Sequence, residues 1–141
     1  MVAYDMNHVK RVAGKYKYND CDICLNPERE KIVVQKGAYG YSASITYAMC
    51  DGGIWAFGFD YNCGTGGGSS GVSWADKADT KVWNKGFESE RECKKFAWRY
   101  LLTRVLPQKE SNKMVEKLYE AIEKKVKEYS QPKVVQLELF G

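Results

Sequence analysis

The 141-residue chain contains a single histidine, His8. That excludes a histidine-rich metal site, and it makes any Ser/His/Asp or Cys/His triad depend on one residue near the N-terminus. There is no Gly-Lys-Ser/Thr phosphate loop opening a helix, so nucleotide hydrolysis of the P-loop kind is excluded. The longest apolar run, Ile54–Phe59, falls far short of the ~20 residues that a membrane-spanning helix needs. The first residues, MVAYDMNHVKRV, lack the apolar core of a secretion signal. With five cysteines, an odd number, a disulfide framework is a poor fit. A reducing, cytoplasmic setting is therefore expected, and a binding protein rather than an enzyme.

What is present is ordinary globular material: 44% hydrophobic and 28% charged residues. The net charge of +4 is unevenly spread. Basic groups gather in residues 1–19 and 81–105, whereas residues 20–80 are acid-rich.

The clearest strand signal is Tyr41–Met49. Tyr41, Ala43, Ile45, Tyr47 and Met49 alternate with Ser42, Ser44, Thr46 and Ala48, giving one apolar and one polar face. Cys50-Asp51-Gly52-Gly53 is a turn that tolerates positive φ, and a second strand runs from Ile54 to Tyr61. The two predict an antiparallel hairpin over 41–61. Trp55, Phe57, Phe59 and Tyr61 share one face of it, which is read as core beneath a helix; base stacking would call for interleaved Lys and Arg, which the hairpin lacks. Ala56 and Gly58 on the other face predict a thin, closely approached or solvated side. Residues 64–71, rich in Gly and Ser, read as a flexible loop leading to a short strand at 72–75, with a further edge strand at 81–83.

Ser89-Glu90-Arg91-Glu92 is a capping box, and it opens a helix over 89–106 that Pro107 stops. Cys93, Phe96, Ala97, Tyr100, Leu101 and Val105 form its apolar stripe. A second helix, 112–129, carries Val115, Leu118, Tyr119, Ile122, Val126 and Tyr129. Residues 20–36 carry two conflicting signals. Asn26-Pro27 looks like a cap followed by Pro in the first helical turn, whereas Ile32-Val33-Val34 prefers a strand; helix is placed slightly ahead. The expected fold is α+β: a small antiparallel sheet packed by two C-terminal helices, in one domain over 1–130 with a basic N-terminal arm (1–19), followed by a tail at 131–141.

Three sets of residues are candidates for function. Lys85, Arg91, Lys94, Lys95 and Arg99 could track the phosphates of a nucleic acid from one helix face. Lys10, Arg11, Lys15 and Lys17, interleaved with Tyr16 and Tyr18, could extend that patch. Cys21-Asp22-Ile23-Cys24 has the spacing that presents two thiolates to one zinc ion, with Cys50 and Cys63 completing four ligands. No cofactor is otherwise expected. Gln136, Leu137, Leu139 and Phe140 offer apolar anchors and an amide to a protein partner, although Val134–Phe140 also alternates as a strand of the protein's own sheet would.

Three stretches bear resemblances. Gln136-Leu137-Glu138-Leu139-Phe140 resembles the short peptide by which bacterial replication and repair proteins dock on the sliding clamp; Glu138 stands where that family carries Ser or Asp. Cys21–Ile32 (CDICLNPEREKI) is similar to the opening of a small zinc motif of bacterial and phage proteins, which would imply a zinc-binding nucleic-acid module. Trp55–Gly58, the Gly/Ser segment 64–71 and Phe87–Glu92 loosely resemble accessory domains of phage and plasmid DNA-partitioning and DNA-modification proteins. Together these imply a non-catalytic accessory protein of a phage or mobile element, acting at DNA or the replication machinery and docking through its C-terminal peptide. The alternative is a phage-encoded inhibitor of a host defence complex, of anti-CRISPR or similar type, that acts by protein–protein binding.

Overall fold

The computed structural model describes residues 7–37, 39–64, 66–75, 86–108 and 112–130. The fold is α+β. Strands β1 (Arg11–Ala13) and β2 (Tyr16–Tyr18) form a small hairpin, turned at Gly14 with φ +59°. Strands β3 (Glu28–Gln35), β4 (Tyr41–Met49), β5 (Trp55–Cys63) and β6 (Gly67–Ser70) form an antiparallel sheet in that order. Helices α1 (Glu90–Val105) and α2 (Lys113–Ser130) pack against each other and cover one face of this sheet.

The central hairpin forms as its periodicity predicts. Ala43, Ile45 and Tyr47 of β4 lie on the same face as Phe57, Phe59 and Tyr61 of β5, because Tyr47 pairs with Phe57 and Ile45 with Phe59. The turn between them places Gly52 at φ +76° and Gly53 at φ +78°, conformations that cost a side-chain-bearing residue. The aromatic stripe is core: Phe57 packs edge-on to Phe96 and Tyr100, and Phe59 lies 5.1 Å from Tyr100. Ser89 caps α1, its Oγ accepting from the Glu92 amide at 3.1 Å. Asn112 caps α2, its Oδ1 accepting from the amides of Met114 and Val115.

Four expectations are corrected. Residues 28–35 are a strand, not a helix: the strand pairs with β4, Ile32 opposite Ala43, and Ile32 and Val34 pack against the core, Val34 from a register shift between Val33 and Gln35. The glycine segment is not simply a loop, because Gly67–Ser70 forms edge strand β6 against Phe59–Asn62. Residues 72–75 are not a regular strand, although Ser73 bridges Ile23 and both Val72 and Ala75 are buried. Of the basic N-terminal arm expected over 1–19, residues 11–18 form the β1–β2 hairpin, with Tyr16 and Tyr18 buried in the second core. The edge strand expected at 81–83 lies outside the described residues.

That second core lies on the sheet face away from the helices. Tyr16, Tyr18, Cys24, Ala48, Cys50, Ala56, Val72 and Ala75 build it. Gly58 is what lets the chain cross here: a Cβ on it would run into the Ser70 carbonyl and come within 2.6 Å of Thr46 Oγ1. The thin side read from Ala56 and Gly58 is this crossing. Among the described residues, no helix is long and apolar enough to cross a membrane.

Candidate nucleic-acid interface

The basic residues of α1 do not share one fate. Lys94 turns inward. Its Nζ lies 3.3 Å from Glu30 on β3 and 3.4 Å from Glu90, and 4.8 Å above the Tyr47 ring. Glu30 is engaged from three sides. It accepts from Trp98 Nε1 at 3.0 Å, from the Tyr129 hydroxyl, and from Lys94. Burial alone would push the Glu30 carboxyl up. The hydrogen bonds from Tyr129 and Trp98, with the Lys94 charge, outweigh it and hold the group below the usual carboxylate range. Burial likewise works against the Lys94 ammonium, but Tyr129, Tyr47 and Glu30 raise its pKa on balance. Burial and Glu30 both raise the Tyr129 phenol. The cluster joins β3, β4, α1 and α2, and its charges are engaged internally. Lys94 is therefore withdrawn from the phosphate-tracking set.

Arg91 is half-buried beside the Tyr129 ring, its guanidinium 6.0 Å from the ring centre. Lys85 lies outside the described residues. That leaves Lys95 and Arg99, which project from the outer edge of α1. Among the described residues, neither forms an ion pair with a carboxylate. The helix places them in a row with Thr103 at four-residue steps; Phe96, Tyr100 and Arg104 form the neighbouring row. Phe96 and Tyr100 are each half-buried, packed inward on Phe57. Phe87 joins the group, 5.1 Å from Phe96, held there by a two-way backbone bridge to Trp55. The Arg104 guanidinium lies 5.9 Å from the centres of both the Tyr61 and Tyr100 rings.

Two clefts open on this edge and share Phe96 and Arg99. One, of about 200 Å³, is lined by Phe87, Glu92, Lys95, Phe96 and Arg99. The other, of about 240 Å³, is lined by Phe96, Arg99, Tyr100 and Thr103. Chemically, the edge offers two cations that form no ion pair among the described residues, with Glu92 sharing the first cleft, next to half-buried aromatic rings. Sequence reasoning finds the basic residues of this edge but not Phe96, Tyr100 and Phe87, which it places only in the core stripe or at the helix start. A readable signal existed: the pairs Lys95-Phe96 and Arg99-Tyr100 repeat a basic–aromatic dyad at one helical turn.

The four-cysteine zinc arrangement is not formed. Cys24 and Cys50 lie in the second core, Cys63 lies in the core under the helices, and Cys21 is exposed. Among the described residues, no group of three or more His, Cys, Asp or Glu is placed to hold a metal ion. All five cysteines are free thiols. The docking peptide Gln136, Leu137, Leu139 and Phe140 lies outside the described residues.

Comparison with known proteins finds no family model, no curated protein and no solved structure that matches this chain.

Proposed function

We propose that the chain is a non-catalytic accessory protein of a phage or mobile element that binds nucleic acid through the outer edge of α1 and docks on a bacterial sliding clamp through Gln136–Phe140. The observation that carries the nucleic-acid half is the pair Lys95 and Arg99, which form no ion pair among the described residues, beside Phe87, Phe96 and Tyr100. Cations without a carboxylate partner release counterions when they meet phosphate, and rings at their side add contact area.

The docking half rests on the peptide's match to the clamp-binding pattern. Leu139 and Phe140 would fill an apolar pocket and Gln136 would set the register. Ordering such a segment offsets much of the gain from burial, so micromolar affinity is expected, raised by avidity when DNA and clamp are held together. The test is capture of the full chain on an immobilised bacterial sliding clamp, with and without the double change Leu139→Ala and Phe140→Ala. Loss of capture with an unchanged thermal midpoint supports docking. Loss of 2 kcal/mol or more of stability would make the segment a strand of this protein's own sheet. Salt-dependent retention on DNA tests the other half separately. Failure to bind DNA, with a defence complex captured instead, would favour the inhibitor reading.

A further inference from the structure

The geometry points to single-stranded nucleic acid, bound by base stacking, as the ligand of the α1 edge; this rests on the nucleic-acid reading above and narrows it. Phe96 and Tyr100 are one helical turn apart, about 6 Å along the axis. A duplex strand advances about 3.4 Å per nucleotide, and its base faces are covered by their stacked neighbours. Side chains attached at that wider axial step suit bases taken one by one from an extended strand with its bases splayed, as proteins take single strands.

The charges agree. Lys95 and Arg99 lie in the row beside the rings, suited to a backbone that runs along the helix while its bases turn onto Phe96 and Tyr100. Arg104, beside the Tyr100 ring, adds a third cation at the end of the ring row itself. The helix start is wrong for a duplex groove. Glu90 and Glu92 occupy the first turn, and Glu88 precedes them. A helix entering the major groove by its N-terminus would press these carboxylates against phosphates.

The experiment measures binding of the full chain to a labelled oligothymidylate and to a labelled duplex of the same length. The oligothymidylate should bind at least tenfold tighter. Phe96→Leu keeps an apolar side chain but removes the ring. It should weaken oligothymidylate binding roughly fivefold or more and leave the weak duplex binding unchanged. Arg99→Gln should weaken both and lower the salt slope for oligothymidylate by about 0.7. Thr103→Trp, at an exposed position lining the second cleft, should report binding by quenched emission even if Phe96→Leu disturbs packing. Equal or tighter duplex binding, or full oligothymidylate affinity in Phe96→Leu with no quenching in Thr103→Trp, overturns the stacking inference. If Arg99→Gln still weakens both probes, the broader nucleic-acid reading survives. If neither probe binds the wild-type chain, both fall.

Discussion

Replacing Glu30 with Ala should be among the most costly changes on the sheet, even though Glu30 sits on an edge strand and its side chain is 20% exposed. Truncation strands the indole N–H of Trp98, a fully buried residue, and removes the acceptor of the Tyr129 hydroxyl. Hydrogen bonds to a charged group contribute about 1.5–3 kcal/mol each, and an orphaned buried donor costs about 1–3 kcal/mol. The Lys94 pair adds less, because partly exposed ion pairs are screened. These contributions overlap, so the expected loss is about 3 kcal/mol, a large share of the roughly 5–15 kcal/mol that holds a typical domain together.

Urea unfolding followed by tryptophan emission measures this loss as a shift in midpoint at constant slope. Glu30→Gln, which keeps one acceptor oxygen, should lose about half as much. Glu28→Gln is the control: Glu28 lies on the same strand, but its ion pair is with Lys15 at the surface, where solvent screens it, so its midpoint should stay close to wild type. The pH dependence has a definite sign. The folded Glu30 carboxyl is more acidic than the unfolded one, so its contribution is full above the ordinary carboxylate pKa of about 4.3 and is lost as pH falls through the lower folded value. The gap between wild type and Glu30→Gln should therefore close in acid. A Glu30→Ala loss below 1 kcal/mol, or a gap that persists at low pH, would refute the reasoning.

Gly58→Ala should cost about 3 kcal/mol, because its Cβ meets the backbone at Ser70 and Gly71, which cannot retreat without disturbing the β5–β6 pairing; thermal denaturation will show it. Phe59→Ala should cost about 3–5 kcal/mol by chemical denaturation, having lost the contacts with Tyr61 and Tyr100 and left a cavity, with half-buried Phe57→Ala costing less. Under native conditions a thiol reagent should modify exposed Cys21 rapidly, while buried Cys24, Cys50, Cys63 and Cys93 react only on unfolding; burial also raises the Cys24, Cys63 and Cys93 thiols, so raising the pH moderately should not release them. Rapid native labelling of four or five thiols would contradict the two-core arrangement.

Local chemistry was enough for the features whose cause is local. The period of two in Tyr41–Met49 and Trp55–Tyr61, the positive φ of the Gly52-Gly53 turn, and the Ser89 cap were legible because each is decided within a few residues. Tertiary structure decided the rest. Residues 28–35 carry signals for two conformations, and the hydrogen bonds of β4 resolved them in favour of a strand. Gly67–Ser70 has little strand preference of its own, and β5 supplies its ladder. Cys63 parts from Cys24 and Cys50 because alternation on β5 turns it toward the helices. Lys94 and Lys95 are neighbours of one residue type on one helix. Only the packing of that helix over β4 and β5, with Glu30 reaching across from β3, brings Glu30 to Lys94 and leaves Lys95 facing outward, since the angle between successive helical side chains matters only once something lies on one side.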